Sequence, residues 1–252
     1  MRRLSECFTP TVMVDGYNYL MNKPQRTITP RVILQMLIFI VIVPMLPLLI
    51  SWHWDWREAW IFAGVSIFGF AISRALAARR NPDLLKERAR FMQHEDAKAW
   101  DKTLAPLVGL GGALIPLVVG LDARFGWSVG FALFVELVAL LFFLAGYVWS
   151  SYALIENRFF SGIVRLQADR DHQVVSSGPY RWMRHPGYAG ALLLYLATPL
   201  FLDSQWAFLP AIFLTIVLVI RTNLEDRTLQ DELPGYREYA ERVRYRLLPG
   251  VW

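Results

Sequence analysis

The sequence predicts an all-α integral membrane protein of about six transmembrane helices, the last two forming a C-terminal helical hairpin with polar cytoplasmic segments beside it. Three observations predict this. Apolar residues make up 55% of the 252 and charged residues only 19%, below the roughly 25% usual in soluble domains. The apolar excess is gathered into six runs, Val32–Ile50, Ala59–Ala78, Leu104–Leu121, Trp127–Trp149, Gly187–Leu202 and Trp206–Ile220; a span of hydrocarbon takes roughly 20 residues. None of the runs alternates apolar with polar residues as barrel strands do, so they are helices. Finally, of the 26 lysines and arginines, all but Arg57, Arg74 and Arg124 lie in the N-terminal tail, the loops 79–102 and 150–186, or the tail from 221 onward. Basic residues collect on the cytoplasmic side, so both termini and both long loops are expected there.

The division along the chain follows. Residues 1–30 form a polar, cytoplasmic tail without a signal-peptide apolar stretch, because Asp15, Asn18, Asn22, Lys23 and Arg26 interrupt it. Residues 31–122 form an N-terminal transmembrane region carrying an amphipathic loop, 79–102. Within that loop, Asn81-Pro82 reads as a cap followed by proline at the first helical position. The charged stretch Asp83–His94, with Leu84, Leu85, Phe91 and Met92 interspersed, is expected to lie along the inner membrane surface. Residues 123–252 form the functional core.

Tryptophans mark the opposite boundary: Trp52, Trp54, Trp56 and Trp60 at the first outer turn, Trp127 at the second and Trp206 at the third. Gly109-x-Gly111-Gly112 lies inside an apolar run and reads as close helix packing rather than a nucleotide loop. Glu136 falls inside the Trp127–Trp149 run, where a carboxylate is costly and is either paired or functional.

The single cysteine, Cys7, excludes an internal disulfide and any cysteine cluster. His53 and His94 have no neighbours spaced as metal ligands and read as interfacial. No metal is expected. The net charge of +5 is accounted for by the membrane, so nucleic acid is not expected as a partner.

Polar chemistry concentrates in two places. The stretch 163–188 is rich in hydrogen-bonding side chains and in turn residues, Gly178-Pro179 and His185-Pro186-Gly187, and runs straight into the fifth span. Its bland reading is a basic loop on anionic lipid, with Arg184 and His185 as anchors. The second cluster, Arg221-Thr-Asn-Leu-Glu225-Asp226-Arg227, begins where the sixth span ends. Arg221 and Glu225 are four apart and share a helical face; they either pair within the helix or face Tyr188 across the hairpin, making one site from both clusters.

Gly178-Pro-Tyr180, Arg184-His-Pro-x-Tyr188, Arg221-x-x-x-Glu225-Asp226, Gly235-Tyr236-x-x-Tyr239 and Arg246-Leu-Leu-Pro249 together closely resemble the isoprenylcysteine carboxyl methyltransferase family, whose wider group includes the membrane phospholipid methyltransferases. The resemblance covers roughly residues 130–252. It implies that S-adenosylmethionine binds at the cytoplasmic face and that a lipophilic methyl acceptor enters sideways from the lipid bilayer. Carried onto matching positions, it implies cofactor contacts from His172, Gln173, Val174, Val175, Tyr180, His185, Pro186, Gly187, Tyr188 and Glu225, with Arg221 and Glu225 as catalytic residues. A glutamine before the histidine also contacts the cofactor in relatives; strict counting lands on Arg165, with Gln167 two residues later.

The residue types suit that chemistry. Glu225 accepts from an ammonium or hydroxyl, the tyrosines stack or donate, and backbone amides of 173–175 pair with an adenine edge. A carboxylate acceptor needs no general base and suits the paired hydrogen bonds of Arg221; an amine or thiol would need His185 or Glu225 as proton acceptor. Other readings are a phospholipid amine or small-thiol methyltransferase, an NADPH-dependent sterol or isoprenoid reductase with extra basic residues for the 2′-phosphate, and a non-catalytic scaffold or transporter.

Overall fold

A computed structural model describes residues 30–89 and 96–252. The tail with Cys7, and Phe91, Met92 and His94 of the amphipathic loop, lie outside the described residues. Among these the helices are α1 (Pro30–Ser51), α2 (Arg57–Arg80), α3 (Pro82–Ala89), α4 (Asp101–Gly111), α5 (Leu114–Phe125), α6 (Leu133–Glu156), α7 (Pro186–Phe201), α8 (Phe208–Glu232) and α9 (Tyr236–Arg242). No strand occurs among the described residues.

Four stretches are helical, long and apolar enough to cross a bilayer: Arg57–Arg80, Asp101–Phe125, Leu133–Glu156 and Phe208–Glu232. Phe39–Ser51 and Pro186–Phe201 are shorter apolar helices. The protein is a multi-pass integral membrane protein. Its helices are apolar on both sides: Leu209, Ile212, Phe213, Ile216 and Ile220 of α8 face outward, while Ala211, Leu214, Val217 and Leu218 are buried. A helix apolar all round needs lipid on its outer face.

The core joins Leu48, Phe62, Ile115, Val119, Phe143, Phe201 and Leu214 from six helices. α6 and α7 meet backbone to backbone, since a Cβ on Gly190 would sit 2.7 Å from the Gly146 carbonyl oxygen. Gly111 serves the packing role expected of it, because a Cβ there would lie 2.5 Å from Leu214 Cδ2.

Three boundaries differ from the sequence expectation. The run Trp127–Trp149 is helical only from Leu133. Before it, Gly126 leaves α5 in the left-handed region (φ 62°), and Phe131 donates its N–H to Asp203 at 2.7 Å. The left-handed turn and this long-range bond outweigh the apolar pattern, and Glu136 stands in the first turn of α6 rather than mid-span. At its other end α6 runs on to Glu156, shortening the following loop to 157–185. α8 runs unbroken past Ile220 to Glu232, carrying the second polar cluster on a continuous helix.

Pro82 does open α3. The Asn81 carboxamide, however, donates to the Ile155 carbonyl at 3.0 Å. It thereby ties the start of α3 to α6. Leu84 is fully buried there beside Ala77 and Leu154.

Candidate functional site

The site is built on the loop 157–185 and on the facing ends of α7 and α8. As α6 ends, the Asn157 carboxamide oxygen Oδ1 accepts the Phe159 N–H at 2.8 Å, and its Nδ2 donates to the Tyr180 hydroxyl at 3.1 Å. Tyr180 in turn donates toward the Ala153 carbonyl at 3.4 Å. Burial holds its phenol protonated, well above the usual tyrosine range.

Further along, the Gln167 N–H meets His172 Nδ1 at 3.3 Å, so Nδ1 is the unprotonated nitrogen. The imidazole lies 4.5 Å from the Phe159 ring. Burial, reinforced by Arg165 and Arg170, lowers its pKa to about 4, leaving it neutral at pH 7.

α7 starts at Pro186, directly after His185. One turn in, the Tyr188 hydroxyl donates to Glu225 Oε2 at 2.5 Å. The His185 and Tyr188 rings stack at 5.8 Å and 3°, and the Arg221 guanidinium lies 5.3 Å from the Tyr188 ring centre. The two polar clusters thus converge on adjacent helix ends, as the spacing predicts.

Of the two arrangements open to Arg221 and Glu225, the ion pair within α8 is not the one found. Arg221 instead turns its Nε and Nη2 onto Asp101 Oδ1 and Oδ2, at 2.7 and 3.0 Å. A bidentate carboxylate in the first turn of α4 outcompetes a neighbour on the same helix. Asp101 is fully buried and also accepts the Val164 N–H at 2.5 Å.

Next to Glu225, Asp226 is fully buried and gathers six donors. Arg184 Nε (2.7 Å), His185 Nε2 (3.2 Å) and Tyr236 Oη (3.1 Å) reach Oδ1. Arg184 Nη2 (2.9 Å), Gln230 Nε2 (2.7 Å) and Arg246 Nε (2.8 Å) reach Oδ2. An ionised carboxylate only accepts, so His185 Nε2 carries the proton. This one side chain ties its own sequence motif to three others. Gly235, at φ 80°, makes the left-handed turn that starts α9 and so delivers Tyr236 to Asp226. Tyr239 donates to the Tyr180 carbonyl at 2.7 Å.

These elements line one cleft, open on one side and walled by both polar and apolar side chains. Of the residues expected at the site, Gln167, His172, Gln173, Val174, Val175, Tyr180, His185, Gly187, Tyr188, Arg221 and Glu225 all line it; Pro186 does not. Gln167 lines the cleft but is 1% exposed. Its amide donates to the Phe159 carbonyl at 2.7 Å and accepts from Arg170 at 2.5 Å, so it braces the loop. Arg165, the position that strict counting reaches, holds Glu87, Asp96 and Asp169.

Asp101 and the Arg165–Glu87 pair escape sequence reading because their partners are 120 and 78 residues away. The one available signal is an acid just ahead of the Leu104–Leu121 run, where a charge needs a partner.

Residues 137–231 match the family model of the isoprenylcysteine carboxyl methyltransferase (ICMT) family. A probable protein-S-isoprenylcysteine O-methyltransferase of Oryza sativa subsp. indica is 29% identical over 118 residues, 44% of this chain and 59% of the relative. The chain thus spans under two thirds of that relative's length. The uncharacterized protein YpbQ of Bacillus subtilis (strain 168) is 38% identical over 60 residues, 23% of this chain and 36% of its own. A Delta(14)-sterol reductase, TM7SF2 of Mus musculus, is 30% identical over 95 residues, 36% of this chain and 23% of its own. The match to the isoprenylcysteine carboxyl methyltransferase family thus lies on the segment 137–231, which holds most of α6, the loop, α7 and α8.

Proposed function

We propose that the protein is an S-adenosylmethionine-dependent methyltransferase acting on a lipophilic, isoprenylcysteine-like carboxylate at the cytoplasmic membrane face. The observation that carries this reading is the convergence of Tyr188, Glu225 and Arg221 with residues 172–175 around one cleft.

The donor set fits the cofactor. The N–H groups of Gln173, Val174 and Val175 carry no hydrogen bond among the described residues, which leaves them for an adenine edge. Glu225 presents a carboxylate to an ammonium or hydroxyl, and Val174, Val175, Leu229 and Leu233 add apolar wall. When bound, S-adenosylmethionine supplies a methyl group on a positively charged sulfur. The protein's part is to orient and desolvate. Arg221 stands beside Tyr188 with Nη1 left for an acceptor carboxylate, and positioning provides most of the rate gain. A carboxylate is already a nucleophile, so no side chain has to remove a proton.

The sterol reductase likeness favours a second reading, NADPH-dependent reduction, which needs cations for the 2′-phosphate. The three arginines lining the cleft are already committed, Arg165 to Glu87, Arg184 to Asp226 and Arg221 to Asp101. That supports methyl transfer.

The charge distribution supports six passes, with the α7–α8 hairpin opening its site to the cytoplasm and both termini on that side. Cysteines introduced singly at 165–180 in a Cys7→Ser background should be labelled from the cytoplasmic side only.

The direct test uses the full chain in detergent. S-adenosylmethionine or its demethylated product should raise the thermal midpoint while NADPH does not, and labelled methyl should pass to an S-farnesyl cysteine derivative bearing a free carboxylate. Stabilisation by NADPH alone would reject the reading.

A further inference from the structure

The carboxylate that holds Arg221 comes from outside the family-matched segment. Asp101 opens α4, and the match begins at residue 137. Arg221 therefore has two acids within reach. Glu225 is one helical turn away on the same face, the arrangement that ordinarily pairs. Asp101 is 120 residues away in sequence, yet it takes both fork nitrogens. Arg221 Nη2 is fixed further by the Gly162 carbonyl at 3.2 Å. Nη1 makes no hydrogen bond among the described residues. Glu225 meanwhile accepts from Tyr188 and lines the cleft.

We propose that Asp101 is a positioning residue for methyl transfer: by occupying the fork of Arg221 it keeps that guanidinium off Glu225, leaving Glu225 to the cofactor and Nη1 of Arg221 to the acceptor. The inference rests on the methyltransferase reading above. It has a physical consequence beyond stability. Without the Asp101 charge, Arg221 is a buried cation whose nearest carboxylate is Glu225, and a buried cation does not stay unpaired. It would turn along α8 and occupy the group the cofactor needs. Loss of Asp101 thus damages cofactor binding and acceptor positioning together, both by way of Arg221.

The same carboxylate also holds the Val164 N–H, so a purely structural role has to be separated from a positioning one. A double-mutant cycle does this. Asp101→Asn should weaken binding of S-adenosylhomocysteine and lower kcat, each on the order of tenfold. In an Arg221→Gln background the same substitution should change neither by more than about twofold, because no cation remains to capture Glu225. Asp101→Glu should restore part of the binding, since it returns the charge. The Asp101→Asn/Arg221→Gln protein has no stranded charge, so it keeps the cycle measurable if Asp101→Asn alone unfolds.

Equal losses from Asp101→Asn with and without Arg221 would overturn the inference, assigning Asp101 to the Val164 loop alone. So would unchanged binding and turnover in Asp101→Asn. If the wild-type chain binds no S-adenosylhomocysteine, the functional reading falls and this inference with it; in the other two outcomes the functional reading stands.

Discussion

The Tyr188 hydroxyl donates a 2.5 Å hydrogen bond to Glu225 Oε2, joining the first turn of α7 to α8 at the wall of the cleft. Each partner thereby fixes the other's rotamer. A bond to a charged group contributes about 1.5–3 kcal/mol. Tyr188→Phe should therefore weaken S-adenosylhomocysteine binding roughly tenfold or more, and Glu225→Ala should weaken it further by removing the carboxylate itself. Arg221→Ala should act mainly on kcat. Titration calorimetry on detergent-solubilised protein reads the first two, and wild-type affinity in Glu225→Ala would contradict the site.

Asp226 predicts a stability effect of another size. Truncating it to Ala strands Arg184, itself 7% exposed, and releases Arg246, His185 and Tyr236. Breaking a buried pair from one side costs about 3–5 kcal/mol. Asp226→Ala should lower the thermal midpoint far more than Glu225→Ala, which strands no cation. Equal midpoints for the two variants would show that the six-donor arrangement does not hold the core of the site together.

His172 gives a pH dependence. Its folded pKa, about 4, lies below its ordinary value of 6.5, so the unfolded chain binds the extra proton first. The neutral ring's contribution to stability is complete above pH 6.5 and is lost as pH falls toward 4. Wild-type thermal midpoint should decline over that window. His172→Gln should decline less, the difference between the two curves isolating this side chain. Parallel curves would mean that His172 titrates normally in the folded protein.

The sequence showed the apolar runs, the basic sides and the four-residue spacing of Arg221 and Glu225, because each is local. The short link between the last two spans also carried Tyr188 and Glu225 to the same site from two neighbouring helices. The ends of α6 were not legible. Apolar residues 127–132 look like span, but bonds from Ser128 to Asp122 and from Phe131 to Asp203, 72 residues on, hold them as a turn. The choice of Asp101 over Glu225 as the partner of Arg221 was hidden for the same reason. It depends on which distant carboxylate the bundle brings closest, and no pattern within α8 records that.

Gly190 tests whether α6 sets the position of α7. A Cβ there would lie 2.7 Å from the Gly146 carbonyl oxygen, 2.7 Å from the Ser150 N and 2.7 Å from Ser150 Oγ. Two of those three atoms are backbone, so no rotamer change relieves the clash. Moreover, Ser150 Oγ donates to the Gly187 carbonyl at 2.8 Å in the first turn of α7, one residue before Tyr188. Separating the helices at Gly190 therefore moves the end of α7 that carries the site. Gly190→Ala should cost about 1–3 kcal/mol of stability, the usual penalty for overpacking, and should weaken S-adenosylhomocysteine binding although Gly190 does not line the cleft. Gly109→Ala, where a Cβ meets nothing within 4 Å, is the matched control: it should leave binding unchanged and stability no lower, since alanine is the better helix former. If Gly190→Ala binds the ligand like the control, α7 is positioned by α8 and the C-terminal segment rather than by α6.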